Sequence, residues 1–311
     1  MVVPLTACSN LLGITDPSAG SDAGSGSGTD ASIDAMLPQS GDYLKISIAD
    51  FKVAIKQRVR FHVTVTHKDT STDDVTKSAD LQLVSSDATI GTVGPLTANA
   101  VTVDGVASGM VTFTAKYKDA AVATVKMTVT TAMCHPVINE LMTGTSAGGG
   151  SDEFVELYNP CNVSFNVSTW TLNYRAKGST SLDMDGTLLA SLAGTMEVGE
   201  LRVYGGPNYN GTGAAAAILP KWTSGISTDG AIGLRSGAAN SGPLVDSIAY
   251  GMVVVSPNPT PNPFIEGTPF VTINNDADAA RAAFDGADTD DNSKDFKATV
   301  SAGTPGALNV P

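Results

Sequence analysis

The sequence predicts an all-β protein: two β-sandwiches following an N-terminal tether. Three observations carry this expectation. Apolar and polar side chains alternate with a period of two in short runs, the signature of half-buried strands. Gly (32) and Pro (16) punctuate the 311 residues too often for a helical protein. Charge falls into three blocks: residues 1–40 carry four Asp and no Lys or Arg, 41–131 carry ten basic and nine acidic groups, and 132–311 carry eight basic and eighteen acidic groups. A tail and two domains account for those blocks, and the length suits about two domains. With 42% hydrophobic residues the chain is too apolar for wholesale disorder. No apolar run reaches the roughly 18 residues of a membrane-spanning helix. The net charge of −13 argues against nucleic acid as a partner, because neutralising phosphates takes a basic surface.

In the tail, residues 1–40, Leu5-Thr6-Ala7-Cys8 resembles the lipobox of bacterial lipoproteins. That resemblance implies a diacylglyceryl group on the Cys8 sulfur and a membrane as partner. Asp16 to Asp34 is a Gly/Ser/Asp/Ala stretch that includes Gly24-Ser25-Gly26-Ser27-Gly28, a composition that favours a flexible tether. Roughly 30 such residues span about 30 Å root-mean-square. Only seven residues precede Cys8, fewer than a signal peptide needs, so the expected start lies upstream and Met1 is internal. Ser9, where Asp would signal inner-membrane retention, points to the outer membrane or cell surface; without the lipid the chain would be secreted.

Residues 41–131 read as an antiparallel sandwich with one wet face. Phe61 to Thr66, Leu81 to Val84, Val111 to Tyr117 and Val122 to Thr130 alternate as strands, with turns expected at Gly91, Gly94-Pro95, Asp104-Gly105 and Ser108-Gly109. The run Gly109 to Thr130 resembles the last strands of bacterial immunoglobulin-like domains, which are mostly spacers and adhesive modules.

Residues 132–311 hold three separated blocks. The first is Val137-Ile138-Asn139-Glu140-Leu141-Met142 with Asp152-Glu153-Phe154-Val155-Glu156-Leu157-Tyr158-Asn159-Pro160. The second is Ser168-Thr169-Trp170-Thr171-Leu172. The third runs from Asp285 to Phe296, followed by Thr304-Pro305-Gly306-Ala307-Leu308-Asn309. Asp246-Ser247-Ile248-Ala249-Tyr250-Gly251 lies between the second and third. In order and spacing these resemble the lamin-tail domain, which implies an immunoglobulin-like sandwich found in secreted or surface proteins, sometimes beside nucleases or other hydrolases. Val137, Asn139 and Leu141 are expected on one strand face and Ile138, Glu140 and Met142 on the other. If Met142 pairs with Glu153 across the hairpin, constant register brings Cys134 opposite Cys161, in reach of a disulfide. With Cys8 lipidated, these two are the cysteines left to pair. Trp170 is expected in core packing.

Candidate chemistry is sparse. Gly144-Thr145-Ser146-Ala147-Gly148 fits G-x-S-x-G, but a glycine run and a strand follow it, and His62, His67 and His135 all precede the serine, against the order a nucleophile elbow needs. Asp288, Asp290 and Asn292 offer oxygen ligands at alternate positions, as Ca²⁺ requires, yet Ser293 and Thr299 break the calcium-loop pattern. Capping of a tight turn is the simpler use of these side chains. No other cofactor is indicated. The expected function is a non-enzymatic surface lipoprotein whose lamin-tail-like domain binds a protein or polysaccharide or serves the envelope structurally; the alternative is an accessory subunit of an extracellular hydrolase or nuclease. Pro257 to Thr268 reads as a stiff, extended connection.

Overall fold

A computed structural model describes residues 41–95, 100–147, 151–177, 179, 185–218, 220–252, 262–299 and 303–309. The tether and Cys8 lie outside the described residues, as does residues 253–261 of the proline-rich connection. The chain is all-β, as its alternation predicts.

Ten strands form the first sandwich: β1 (Tyr43–Ile46), β2 (Phe51–Ile55), β3 (Arg58–Phe61), β4 (Val63–Thr66), β5 (Thr72–Asp74), β6 (Leu81–Ser85), β7 (Gly91–Val93), β8 (Val101–Gly105), β9 (Gly109–Tyr117) and β10 (Ala123–Met133). One sheet has the order β2-β10-β9-β6; β1-β4-β5 and β3-β8-β7 make two shorter sheets. Alternation works here as read. Val111, Phe113, Ala115 and Tyr117 of β9 point inward with Val125, Met127 and Val129 of β10, and one core joins them to Val59, Phe61, Val63 and Val65. The expected single strand from Phe61 to Thr66 is two strands in two sheets. At His62 the chain breaks to exchange hydrogen bonds with Ser47, whose backbone N–H reaches the His62 carbonyl and whose hydroxyl accepts the His62 N–H. Periodicity runs unbroken through such a corner because inward positions stay inward. Gly91, expected in a turn, opens β7, and Asp104-Gly105 closes β8 opposite it.

The second sandwich comprises β11 (Val137–Met142), β12 (Phe154–Tyr158), β13 (Phe165–Asn166), β14 (Thr171–Ala176), β15 (Thr187–Ser191), β16 (Thr195–Met196), β17 (Leu201–Gly205), β18 (Gly230–Arg235), β19 (Leu244–Tyr250), β20 (Asp278–Arg281) and β21 (Phe296–Thr299), with a short helix α1 (Asn292–Asp295). Its sheets run β17-β12-β11-β20-β21 and β15-β14-β18-β19. Ile138, Leu141, Val155, Leu157 and Phe296 from the first meet Leu172, Ile232, Leu234, Ile248 and Tyr250 from the second. Trp170 closes one end of this core, edge-on to Phe165 at 6.2 Å.

Register in β11 differs from the expectation in an instructive way. Met142 faces Phe154 and Glu140 faces Glu156, one residue off the Met142–Glu153 pairing, whereas Ile138 faces Leu157 and Val137 faces Tyr158. Asn139 is the extra residue that absorbs the difference, a β-bulge. It puts Ile138 and Leu141 on the same inward face, where strict alternation would separate them, and returns the pair to the register that lets Cys134 meet Cys161.

Both outer faces of this sandwich are partly covered. On the β18–β19 side Phe264 lies fully buried on Ala231 and Ala249. Gly233 makes room for it: a Cβ there would stand 2.2 Å from the Phe264 ring. Gly233→Ala is therefore expected to cost about 1–3 kcal/mol by overpacking. Combined with Phe264→Ala the loss should be clearly less than additive in a urea-unfolding double-mutant cycle.

Candidate functional site

Where β10 leaves the first sandwich, the two sandwiches are fastened to each other. The Cys134–Cys161 disulfide closes a separation of 27 residues with Cα atoms 5.7 Å apart. Around it the backbone bonds across the joint: Cys134 N–H to the Ile55 carbonyl at 2.9 Å, Arg58 N–H to Pro160 at 2.6 Å and Asn162 N–H to Lys56 at 2.8 Å. Lys56 takes a left-handed conformation (φ 70°) that turns the β2–β3 connection toward Cys161. Buried Gln57 donates through Nε2 to the Gly286 carbonyl at 2.7 Å, while its Oε1 accepts the Ala54 N–H. Phe284 of the second sandwich packs on Phe51 of the first, ring centres 5.6 Å apart.

On the outer face of β11, β12 and β20 stands a row of acids, covered by the segment 303–309. The segment's N–H groups point down at carboxylates: Thr304 donates to Glu140 Oε1 at 2.8 Å, Gly306 to Glu156 Oε2 at 2.6 Å, and Asn309 to Asp285 Oδ1 at 3.0 Å. Asn139, rotated outward by the bulge, donates through Nδ2 to Glu156 Oε1 at 3.1 Å and to Asp285 Oδ1 at 2.8 Å. Gly306 must be glycine, since its φ is 78° and a Cβ would meet the Ala214 backbone at 2.3 Å. The Thr304-Pro305-Gly306 element of the resemblance thus has a physical use as a strap. Burial pushes the Glu156 carboxyl up to about 7 against the pull of the Gly306 and Asn139 donors. Burial, with Asp278 beside it, pushes Glu140 up to about 10. Asp278 is buried with both oxygens lacking a conventional donor. A proton held by Glu140 supplies one, and burial pushes the Asp278 carboxyl up as well.

A second acidic cluster is built around one cation. Arg281, 1% exposed, donates through Nη2 to Asp246 Oδ2 at 2.8 Å and through Nε to the Ile138 carbonyl at 2.9 Å; Asp288 and Asp295 each stand 3.5 Å from Nη1. Burial works against the Arg281 charge, and the three aspartates more than offset it, so its pKa rises. Glu266 completes the group, accepting from Ser247 Oγ and Asn292 Nδ2. Burial first, then the charges of Asp246 and Asp288, push it up to about 9, so it is protonated at neutral pH. Asp246, Glu266 and Asp288 bring carboxylate oxygens within 4.8 Å of one another, the donor set of a hard cation. Arg281 is the cation already among them.

Of the alternating Asp288, Asp290 and Asn292, the structure sends each elsewhere. Asp288 faces Arg281 and His135, and its Oδ1 accepts the Asp290 N–H in a tight turn. Asp290 is exposed at φ 57°. Asn292 is fully buried, donating to the Ser247 carbonyl and accepting the Ala249 N–H, which pins α1 to β19. Ser146 is a loop fastener, bonded through N–H and Oγ to Asp276 at 3.0 and 2.5 Å. The histidines are far apart in role: His67 is buried between Asp42 and Asp73, His62 is half-exposed beside Asp74, and His135 faces Asp288. Arg281 was not legible as functional, although one signal pointed to it: a lone cation in Ala279-Ala280-Arg281-Ala282-Ala283 has apolar neighbours on both sides and must find its counter-charge elsewhere in the fold.

No family model and no curated protein matches the chain. Among solved structures it is similar to domains 4 and 5 of the S-layer protein SbsC, with 23% identity over 28% of this chain and 50% of that one, at a TM-score of 0.23. A DUF4876 family protein from Bacteroides thetaiotaomicron matches over 70% of this chain and 90% of that one, with 15% identity and a TM-score of 0.37. SbsC domains 5–6 match over 66% and 93%, with 13% identity and a TM-score of 0.27.

Two measurements probe the site. Replacing Cys134 and Cys161 by Ser should lower unfolding stability by about 2–4 kcal/mol in urea, the range for a loop of this size. Glu140→Gln keeps an acceptor for Thr304 and gives Asp278 a permanent donor. A carboxyl whose folded pKa is raised contributes most below its unfolded value, and that contribution is lost as pH climbs toward about 10. Wild type and variant should therefore melt alike near pH 4, and the variant should melt higher at pH 8–9.

Proposed function

We propose that the chain is a non-enzymatic module of the cell envelope, held at the cell surface by a lipid on Cys8, with its lamin-tail-like sandwich as the outward binding or structural face. The single observation that carries this reading is the joint between the sandwiches. Independent domains on one chain ordinarily move relative to each other. Here a disulfide, three backbone hydrogen bonds, the Gln57–Gly286 bond and the Phe51–Phe284 contact cross the joint. A stiff two-sandwich unit suits a part that must hold a face clear of a membrane.

The disulfide supports the address, since such bonds persist in oxidising compartments outside the cytoplasm. The lamin-tail resemblance of residues 134–311 supports a surface or secreted role, and the excess of acidic groups there turns the choice of ligand away from nucleic acid toward a protein or polysaccharide.

The test is fractionation of cells expressing the chain with its native upstream codons, as wild type and as Cys8→Ser. Wild type should sediment with membranes and be shaved from intact cells by added protease, and Cys8→Ser should be released. Two soluble forms would remove the anchor and leave a secreted protein.

A further inference from the structure

Between the sandwiches, beside the disulfide-bonded joint, is an open cavity of about 330 Å³. Ile48 and Phe61 line it from the first sandwich, Tyr158 and Phe284 from the second, and Leu308 from the strap. Its walls are mostly apolar and its volume is at the small end of the range for ligand sites, which hold a few polar groups in an apolar lining and favour domain junctions.

Three basic groups reach its wall, and two are committed. Arg281 is spent on Asp246, Asp288 and Asp295. His62 stands 3.6 Å from Asp74. Arg60 differs: it is half-buried, its guanidinium lies over the Tyr158 ring with Cζ 5.8 Å from the centroid, and its Nε is buried with no acceptor. Among the described residues it makes no hydrogen bond through its side chain and no ion pair within 4.0 Å. A buried guanidinium N–H left without an acceptor, with Asp285 acting on it only through space, marks room for a hydrogen-bonding partner that the fold itself does not supply. The acid on the wall, Asp285, is held at Oδ1 by Asn139 and Asn309; burial pushes its pKa up, against those two donors and the nearby charge of Arg60.

We infer that this cavity binds a small organic monocarboxylate, its apolar body between Ile48, Phe284 and Leu308 and its carboxylate on Arg60. One guanidinium with an unfilled donor and no close ion pair can hold one negative charge. A dianion such as phosphate would leave charge uncompensated against apolar walls, and a neutral ligand would leave Arg60 unpaired. The site does not depend on the lipid anchor or on the surface reading above.

The experiment is calorimetric titration of the full chain at pH 7 with 3-phenylpropionate, up to about 10 mM, the range in which a ligand of this size registers. 3-Phenylpropionamide serves as the neutral isostere, and inorganic phosphate as the apolar-free anion. The carboxylate should bind, with amide and phosphate each about tenfold weaker or worse. Arg60→Gln should weaken the carboxylate about tenfold or more, the scale of a lost charged hydrogen bond, and leave the amide unchanged. Ala283→Trp, at an exposed position on the rim, should block the acid while Arg60 stays intact. Melting temperatures close to wild type establish that both variants are folded. Absence of heat from wild type with 3-phenylpropionate overturns the proposal, as does equal binding of acid and amide, or retained acid binding in folded Arg60→Gln.

Discussion

One extra residue in β11 is the constraint on which much of the second sandwich depends. Asn139 breaks the ladder between Ile138 and Glu140, and four consequences follow from that single bulge. Ile138 and Leu141 both turn into the core. The Ile138 backbone is released from regular pairing, so its N–H goes to Asp246 Oδ2 and its carbonyl accepts from Arg281. The Asn139 side chain turns outward to join Glu156 and Asp285, and its Oδ1 accepts the Gly286 N–H. Beyond it, the strands return to the register that closes the disulfide. Bulges that redirect a side chain near a site are a known device of sheets, and here the redirected amide links β12 to the 285–286 turn, while the Asn139 carbonyl accepts from Asn309 of the strap.

That arrangement explains how an acidic domain tolerates so many carboxyls out of water. Isolated buried charges cost several kcal/mol each, so each acid needs a donor, a cation or a proton. Glu156 and Asp285 take backbone N–H groups from the strap together with the Asn139 amide. Glu140 and Glu266 keep their protons. Asp246, Asp288 and Asp295 share Arg281. Most of these ties run between segments distant in sequence, such as Glu140 with Thr304 or Asp246 with Arg281. The polar network therefore specifies which loops cover the sheet, while the apolar core beneath supplies the bulk of the driving force.

The joint between the sandwiches extends the same logic. The 285–286 turn is fixed on one side by Asn139 and on the other by Gln57 of the first sandwich, so the polar network continues across the interface. The carboxylate cavity lies against that turn, with Arg60 contributed by one sandwich and Tyr158 by the other. A stiff joint is what allows a site built from two domains to keep its shape, and this ties the proposed spacer role to the proposed ligand site physically, though neither requires the other.

Strand-forming segments were legible from the sequence because their cause is local. Val111 to Tyr117 and Val122 to Thr130 alternate so regularly that inward and outward faces follow from the order of residues; the cysteine pair was reached by counting from a Met142–Glu153 pairing that the structure shifts by one, and the Asn139 bulge restores the register that closes it. Where a strand changes sheets, as at His62, or gains a residue, as at Asn139, the pattern is silent, because inward positions stay inward through the corner and a bulge shifts the phase by one without altering composition. The alternating Asp288, Asp290 and Asn292 read equally well as ligands or as caps, since spacing along the chain says nothing of where each side chain points; the fold turned one to Arg281, left one in solvent and buried one beneath β19. By itself the sequence determined an all-β chain and the inward faces of its regularly alternating strands, which rest on neighbours in the chain. Tertiary structure alone decided the partners of Arg281, the strap over the acids and the open face of Arg60, because a buried charge is satisfied by whatever the fold brings to it across a hundred or more residues.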